Sequence, residues 1–539
     1  MNSTTKCDTG QFRLCGIWLL IDEQKRLSGC VWFIISAILL ALALICFITA
    51  TFGLLLTPSV IHQKILESAK WGFDKRGKPT ATTKAWENPK YKMFFQVNVF
   101  SVLNAEEVNK TRTTMPLFEE RGPYSFKEYR HNKYEMEEKE LVTYQTKKTY
   151  IFDPDTSCED CYLDDYVTVV NFPLQVMQYT VMGDILSTSV LNGLLENTTT
   201  TAFKRVKVRK LLFDGYDDEL LLAVKEAYPK MLNTTRAGLF LGKNGTYNAP
   251  ITVNTGSKNI NEIGKVYFWN YSSTTDAWYK PEAQEIHGVD GQFFPPKKYG
   301  HLDKFEIFVG DICRAVKFKH NDTVYFDNLL VDEYLIDNSM GDPDEEQRLG
   351  YCNPNSARFF DDPKVQPAYC SPVGLLDIES CQPLAKGFLF GQPHFKGSPD
   401  EIRQMVAGIR KPKSREVTRI QIESQTGVLV FAQQLTQINI GAINGDLAPL
   451  NNLTSRVMPI IWLNETVVYD KETAKKLHQL SNIQWIIFDT TQRKQTVLVN
   501  QYSLPPTNVV PNQHNLYSSI SVISNPATFK LKDPLRRSL

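Results

Sequence analysis

Excess charge of one sign, catalytic signatures and internal repeats are all missing from this chain. Lys and Arg number 60 against 59 Asp and Glu. No surplus of positive charge is therefore available to draw in a polyanion, which argues against nucleic acid as a general partner. No Gly-x-Ser-x-Gly elbow and no His-Glu-x-x-His pair occurs, and residues 238–244 (GLFLGKN) lack both the spacing and the Ser/Thr of a phosphate loop. The 8 histidines are scattered from His62 to His514. This composition predicts neither an enzyme nor a bound cofactor, and it offers no catalytic residue. Cysteine is sparse as well: the 10 present include one Cys-x-x-Cys, Cys158 and Cys161, with no second Cys/His pair at ligand spacing. No metal is expected on that ground.

One long apolar run is present. Residues 27–61 carry no charged side chain, and within them residues 30–56 read CVWFIISAILLALALICFITATFGLLL. Roughly 20 apolar residues cross a bilayer as a helix. A signal peptide has a shorter apolar region nearer the N-terminus and a cleavage site, so the expectation is a transmembrane helix at 29–57. Residues 1–28 then form a short cytoplasmic tail in which Cys7 and Cys15 are free thiols or palmitoylation sites. Flanking charge does not orient the span, because Arg13, Lys25 and Arg26 are matched by Lys64, Lys70, Lys75 and Arg76. Acceptor triplets do: Asn109, Asn197, Asn233, Asn244, Asn270, Asn321, Asn452 and Asn464 all begin Asn-x-Ser/Thr, against on the order of four expected by chance. These residues are candidate glycosylation sites on an extracellular or luminal portion. An even set of six cysteines beyond the span suits an oxidising compartment.

From about residue 90 the texture is strand-like. YKMFFQVNVFSV, ELVTYQTKKTYIF, YVTVVNF and KVYFW are β-branched and aromatic runs parted by Asn, Asp, Gly and Pro. Residues 172–196 differ. There Tyr179, Met182, Leu186, Val190 and Leu194 recur at helical spacing, Met177, Val181 and Ile185 widen the apolar face, and Gly183 and Asp184 predict a break into two helices. Shorter helices are expected at 218–228 and 471–480. Gly122-Pro123-Tyr124 and Phe294-Pro295-Pro296 read as turns, as scaffold rather than site.

Several motifs, in order, resemble the CD36 family of scavenger receptors and lysosomal membrane proteins. Asn88-Pro89 is followed by FQVNVFSVLNAEEV, PLFEERGPY, DDYVTVVNFPL, LLFDGYDDEL, RAGLFLGKNGTY, IHGVDGQFFPP, GDICRAVKF, GLLDIESC, GQPHF and RVMPIIWLNET. The resemblance implies a mainly β fold with helices (α+β). In that fold a large irregular antiparallel β-barrel ectodomain, expected at 58–480, is crossed by a hydrophobic lipid tunnel and carries an apical helical bundle. The ligand entrance would then lie on the 172–196 helices, with Met177, Tyr179, Met182, Leu186, Val190 and Leu194 as candidate ligand-binding residues. It further implies disulfides Cys313–Cys381 and Cys352–Cys370, while Cys158–Cys161 lies outside the shared pattern and is simplest as a local disulfide across an acidic loop.

Three departures stand out. The sequence after the second apical helix is LLENTTTTAF, with Asn197 as a glycan acceptor and no lysines, which argues against strongly anionic lipoproteins as ligands. Residues 204–210 (KRVKVRK) alternate as a strand with solvated charges would. Beyond residue 475 the match stops: the longest apolar run is residues 483–488, too short to cross a bilayer. The expectation for 481–539 is a divergent polar, poorly ordered segment, from a variant end or a single-span form. The function implied is a membrane glycoprotein of the plasma membrane that binds lipids (fatty acids, sterols, phospholipids) or lipoprotein-like particles and passes lipid through the tunnel. The alternative is an endosomal or lysosomal receptor carrying a protein on its apical helices. Homo-oligomerisation is left open.

Overall fold

The computed structural model describes residues 9–72, 78–137, 140–297, 300–337 and 350–479. The expectations for 481–539, including the missing second span, lie outside the described residues. Helix α1 (Thr9–Ala69) continues past both ends of the expected 29–57 span. Its apolar stretch Trp32–Gly53 holds no buried residue and is 22 residues long. At 1.5 Å per residue that is about 33 Å, enough for a ~30 Å hydrocarbon core.

Beyond α1, eleven antiparallel strands form the main path of one 14-stranded sheet. They are β1 (Lys92–Val102), β2 (Phe118–Glu137), β3 (Leu141–Phe152), β4 (Ile251–Asn254), β5 (Val266–Trp269), β6 (Lys304–Val309), β7 (Arg314–Phe326), β8 (Leu329–Ile336), β9 (Arg419–Glu423), β10 (Val428–Ala442) and β11 (Arg456–Val468). Their order is β5-β4-β3-β2-β1-β11-β10-β9-β8-β7-β6. The first and last of these are not paired to each other; residues 288–290 lie between them as a splint. Val266 N–H donates to Gly288 O (2.9 Å) and Asp290 N–H to Gly264 O (2.9 Å), while Val289 N–H donates to Glu306 O (2.8 Å) and Phe308 N–H to Val289 O (2.9 Å). The barrel is near-closed through this splint, which satisfies edge groups that would otherwise stay open.

The splint demands its residues. Gly288 has φ +90°, and a Cβ there would lie 2.8 Å from the Glu306 carbonyl oxygen, so only glycine fits. Next to it His287 contacts Glu306 at 3.1 Å, and that carboxylate holds the imidazole above its ordinary value, outweighing burial. Asp290 accepts from Tyr144 Oη (3.0 Å) and from the N–H groups of Gln292 and Phe293. Its burial nevertheless pushes it up to about 6.

Two ends of the barrel are distinguished by what covers them. Just past α1, Trp71 packs on Trp86 (ring centroids 4.1 Å) and Tyr144 (5.9 Å). Trp86 Nε1 donates to Gln292 Oε1 (2.9 Å), and Gln292 Nε2 donates to Tyr144 Oη (2.6 Å). This aromatic cluster lies near the start of β3, where Tyr144 pairs with Tyr134 of β2. At the other end Ala442 of β10 pairs with Arg456 of β11, and the loop joining them meets the helices α2 (Phe172–Val181) and α3 (Ile185–Leu195). Helix α4 (Glu219–Ala227), capped by Asp218, packs against them.

Two sequence expectations need correcting. Gly122-Pro123-Tyr124 is not a turn: it lies inside β2, at a register shift opposite residues 97–99 of β1. A bulge is where a strand tolerates a proline, which has no N–H to give the ladder. Asn464 is not a usable glycan acceptor. It is buried in β11, where its Nδ2 donates to Gln96 Oε1 (2.9 Å) and its Oδ1 accepts from Gln433 Nε2 (3.1 Å). Asn197, Asn233, Asn244, Asn270, Asn321 and Asn452 are exposed and Asn109 is half-buried.

The splint yields two expectations. Gly288→Ala should lower stability by about 1–3 kcal/mol from its strained φ alone, and more from the clash, as read by thermal unfolding. For both His287 and Asp290 the folded value is raised, so each contributes stability that is full below its unfolded value and lost as pH rises through the folded one. The stability gap between the native protein and His287→Ala should therefore be wide at about pH 6 and shrink by about pH 8.5.

Candidate functional site

The helices at the end opposite α1 begin and end as local chemistry dictates. Asn171 caps α2, accepting from Leu174 N–H (3.3 Å), with Pro173 in the first turn. Gly183 at φ +84° breaks the helical path. Asp184 then caps α3: its Oδ1 accepts from Leu186 N–H (3.0 Å) and Ser187 N–H (3.3 Å), and its Oδ2 from the Ser187 hydroxyl (2.6 Å). The Ser187 hydrogen bonds hold this carboxyl below its ordinary value.

Both helices are clamped to the β10–β11 loop by polar side chains that periodicity alone would not single out. Gln175 Oε1 accepts from Ile443 N–H (3.2 Å) and Gln178 Oε1 from Leu447 N–H (3.0 Å). Asn192 donates to Asp446 O (2.9 Å) and accepts from Ala448 N–H (2.8 Å). With the loop fixed on one side, the opposite side of the α2–α3 turn faces outward.

The six candidate residues divide accordingly. Met177 is buried in the main core, and Val190 and Leu194 are half-buried. Tyr179 turns inward, donating from its hydroxyl to Gly441 O (2.8 Å). Its burial, reinforced by Asp377 and Glu379, raises the phenol well above its ordinary value, so it remains a donor. The cavity beside it, lined in part by Phe359, Gly387 and Leu389, is only about 10 Å³, room for a single water at most. Met182 and Leu186 are different: they stand 51% and 75% exposed, and Ile185 between them is 85% exposed. These three apolar side chains form the outward tip of the turn. Ile185 was not among the six candidates, although its place directly after the Asp184 cap marks it as a helix start facing away from the clamped side.

A second apolar feature lies on one face of β2 and β3. A cavity of about 190 Å³ is lined by Phe126, Tyr150, Phe152, Leu163 and Phe213, with Arg209, Asp214 and Asn244 as its polar groups. Phe213 stacks on Tyr150 (5.1 Å) and meets Phe126 edge-on (5.2 Å), and Phe95 packs on Tyr150 (4.9 Å). A pocket for a whole drug-sized ligand is roughly 300–1,000 Å³, so this one suits a segment of chain. Two residues further along the same face the rings give way to charge. Glu128 and Glu465 surround Arg130 and Lys148, with Lys148 Nζ 3.1 Å from Glu465 Oε1. Burial opposes the charge on both cations, yet the two carboxylates outweigh it and hold them above their ordinary values.

Among the described residues three disulfides are present: Cys158–Cys161, Cys313–Cys381 and Cys352–Cys370. The basic run around β-strand Phe203–Lys207 is largely paired: Lys204 meets Glu219, and Lys207 and Arg209 both meet Asp164.

Comparison with known proteins adds independent findings. A sequence model of the CD36 family matches residues 39–492. Lysosome membrane protein 2 of Rattus norvegicus is 27% identical over 409 residues, covering 75% of this chain and 80% of its own length. The Homo sapiens protein of that name is 25% identical over 464 residues, covering 84% and 89% respectively. Sensory neuron membrane protein 1 of Plutella xylostella is 26% identical over 448 residues, covering 78% and 80%.

The split between inward and outward residues is measurable by thermal unfolding. Met182→Ser and Leu186→Ser should each shift stability by no more than about 0.5 kcal/mol, as exposed positions do. Tyr179→Phe removes a hydrogen bond and should cost roughly 1 kcal/mol.

Proposed function

The chain belongs to the CD36 family, a family of non-enzymatic receptors, and on that premise we propose that this membrane protein is a scavenger-receptor-type glycoprotein that takes up lipid at its α2–α3 turn and passes it through the ectodomain to the membrane. The observation that carries the reading is the exposed trio Met182, Ile185 and Leu186, at the barrel end opposite the membrane-spanning helix. An outward apolar tip of this kind is a surface that a lipid or a lipoprotein-like particle covers favourably. The aromatic cavity at Phe126, Tyr150 and Phe213 supports it as a place where part of an acyl chain, sterol or phospholipid tail is shielded from water. Burial contributes about 0.8 kcal/mol per methylene, so transfer down a gradient needs no covalent step. The ectodomain faces the extracellular side of the plasma membrane in this reading, and the six exposed acceptor asparagines carry glycans.

One observation favours a second location and cargo. The Glu306 carboxylate favours the charged form of His287 in the barrel splint, an ion pair that is fuller at acidic pH, which suits an endosomal or lysosomal location; a protein cargo on the same helices is the alternative that goes with it.

The test uses the full-length protein purified in detergent. Co-purifying lipid is identified by mass spectrometry, and displacement by labelled fatty acid and by cholesteryl ester is followed for the native protein and for the triple substitution Met182→Ser, Ile185→Ser, Leu186→Ser. Stoichiometric, displaceable lipid in the native protein, with uptake slowed in the folded triple variant, is the expected result. A folded native protein that holds no lipid and takes up none overturns lipid transfer in favour of the protein-carrying receptor.

A further inference from the structure

Away from both apolar features, three adjacent strands bring two histidines and an aspartate together. His301 lies just before β6, His320 is on β7 and Asp332 is on β8. Pairing sets their approach: Lys304 is opposite Lys319, and His320 N–H donates to Asp303 O (2.9 Å). The two imidazoles stack with centroids 3.6 Å apart and planes 7° off parallel. One ligand atom from each of the three residues lies within 4.8 Å of the other two, and among the described residues no other group of three His, Cys, Asp or Glu converges in this way.

We infer that His301, His320 and Asp332 form a binding site for a divalent transition metal ion of the zinc class. The donor set decides the class: two imidazole nitrogens and one carboxylate suit zinc and its neighbours, whereas calcium and magnesium take oxygen ligands. Tetrahedral zinc with bonds near 2.0–2.1 Å needs its donors roughly 3.4 Å apart. His320 Nε2 and Asp332 Oδ1 are already 3.4 Å apart. Parallel rings do not aim their in-plane lone pairs at one point, so binding requires His301, whose side chain is 38% exposed, to swing out of the stack toward His320 Nε2 and Asp332. Nε2 of His320 is buried and makes no hydrogen bond, so it is available as a ligand atom.

The surroundings resemble the outer shell of a metal site. Asp332 is held from both sides: Thr323 Oγ1 donates to its Oδ1 (2.7 Å) and Ser424 Oγ to its Oδ2. Tyr334 sets its ring edge against His320 (5.5 Å), and its hydroxyl accepts from Leu302 N–H (3.1 Å), steadying the segment that carries His301. Three protein ligands leave a fourth position for water or for Asp303, which lies 3.8 Å from His301 Nε2. A bound ion would tie the start of β6, one lip of the barrel splint, to the β7–β8 hairpin. The spacing of residues 301, 320 and 332 matches no sequence motif for metal, which is why the sequence alone gave none.

The full-length protein in detergent is stripped with chelator and titrated with zinc chloride, with calcium chloride as control. One equivalent of zinc retained after gel filtration, a raised melting temperature with zinc but not calcium, and a visible absorption band on cobalt(II) substitution are expected. His301→Ala removes an exposed ligand without disturbing the core and should weaken zinc binding at least tenfold; Thr323→Val, in the outer shell, should cost roughly 10–100-fold. Absence of stoichiometric zinc in the folded native protein overturns the site, as does zinc binding that His301→Ala leaves unchanged.

Discussion

An eleven-strand path has two edges, and the rest of the barrel depends on how those edges are joined. Here three residues do it, with residues 288–290 hydrogen-bonding to β5 on one side and β6 on the other. Backbone pairing on both sides leaves no room for a Cβ at 288. The same segment continues into Gln292 and Phe293, which reach the aromatic cluster of Trp71, Trp86 and Tyr144 beside α1. Barrel closure and the attachment of the barrel to α1 thus share one short stretch of chain.

That sharing explains what was and was not legible in the sequence. The α2–α3 break was legible because Gly183 and Asp184 act locally, one by its φ and the other by its cap. The anchor and the strand runs were legible because apolar length and β-branched content are local too. The splint was not. IHGVDGQFFPP carries the signs of a turn, and nothing within it tells that its backbone is a ladder partner for two distant strands. Asn464 fails for the same reason: it satisfies an acceptor triplet, but β11 lies between β1 and β10 and buries it.

The candidate site shows the limit of periodicity. Met177, Tyr179, Met182 and Leu186 follow from one helical pattern, yet two face the core and two face out. What separates them is the β10–β11 loop, which arrives more than 250 residues later in the chain and donates its backbone N–H groups to Gln175 and Gln178. The informative signal was polar: two glutamines on an otherwise apolar helix mark the side that meets backbone.

The buried charges beside the aromatic cavity set a length. Tyr150 and Phe126 are each followed, two residues nearer the anchored end, by Lys148 and Glu128 on the same face. Two residues of strand span roughly 7 Å. The ring-lined part of that face therefore ends about that far toward the anchored end, where Arg130 and Lys148 with their carboxylates replace an apolar wall by a charged floor.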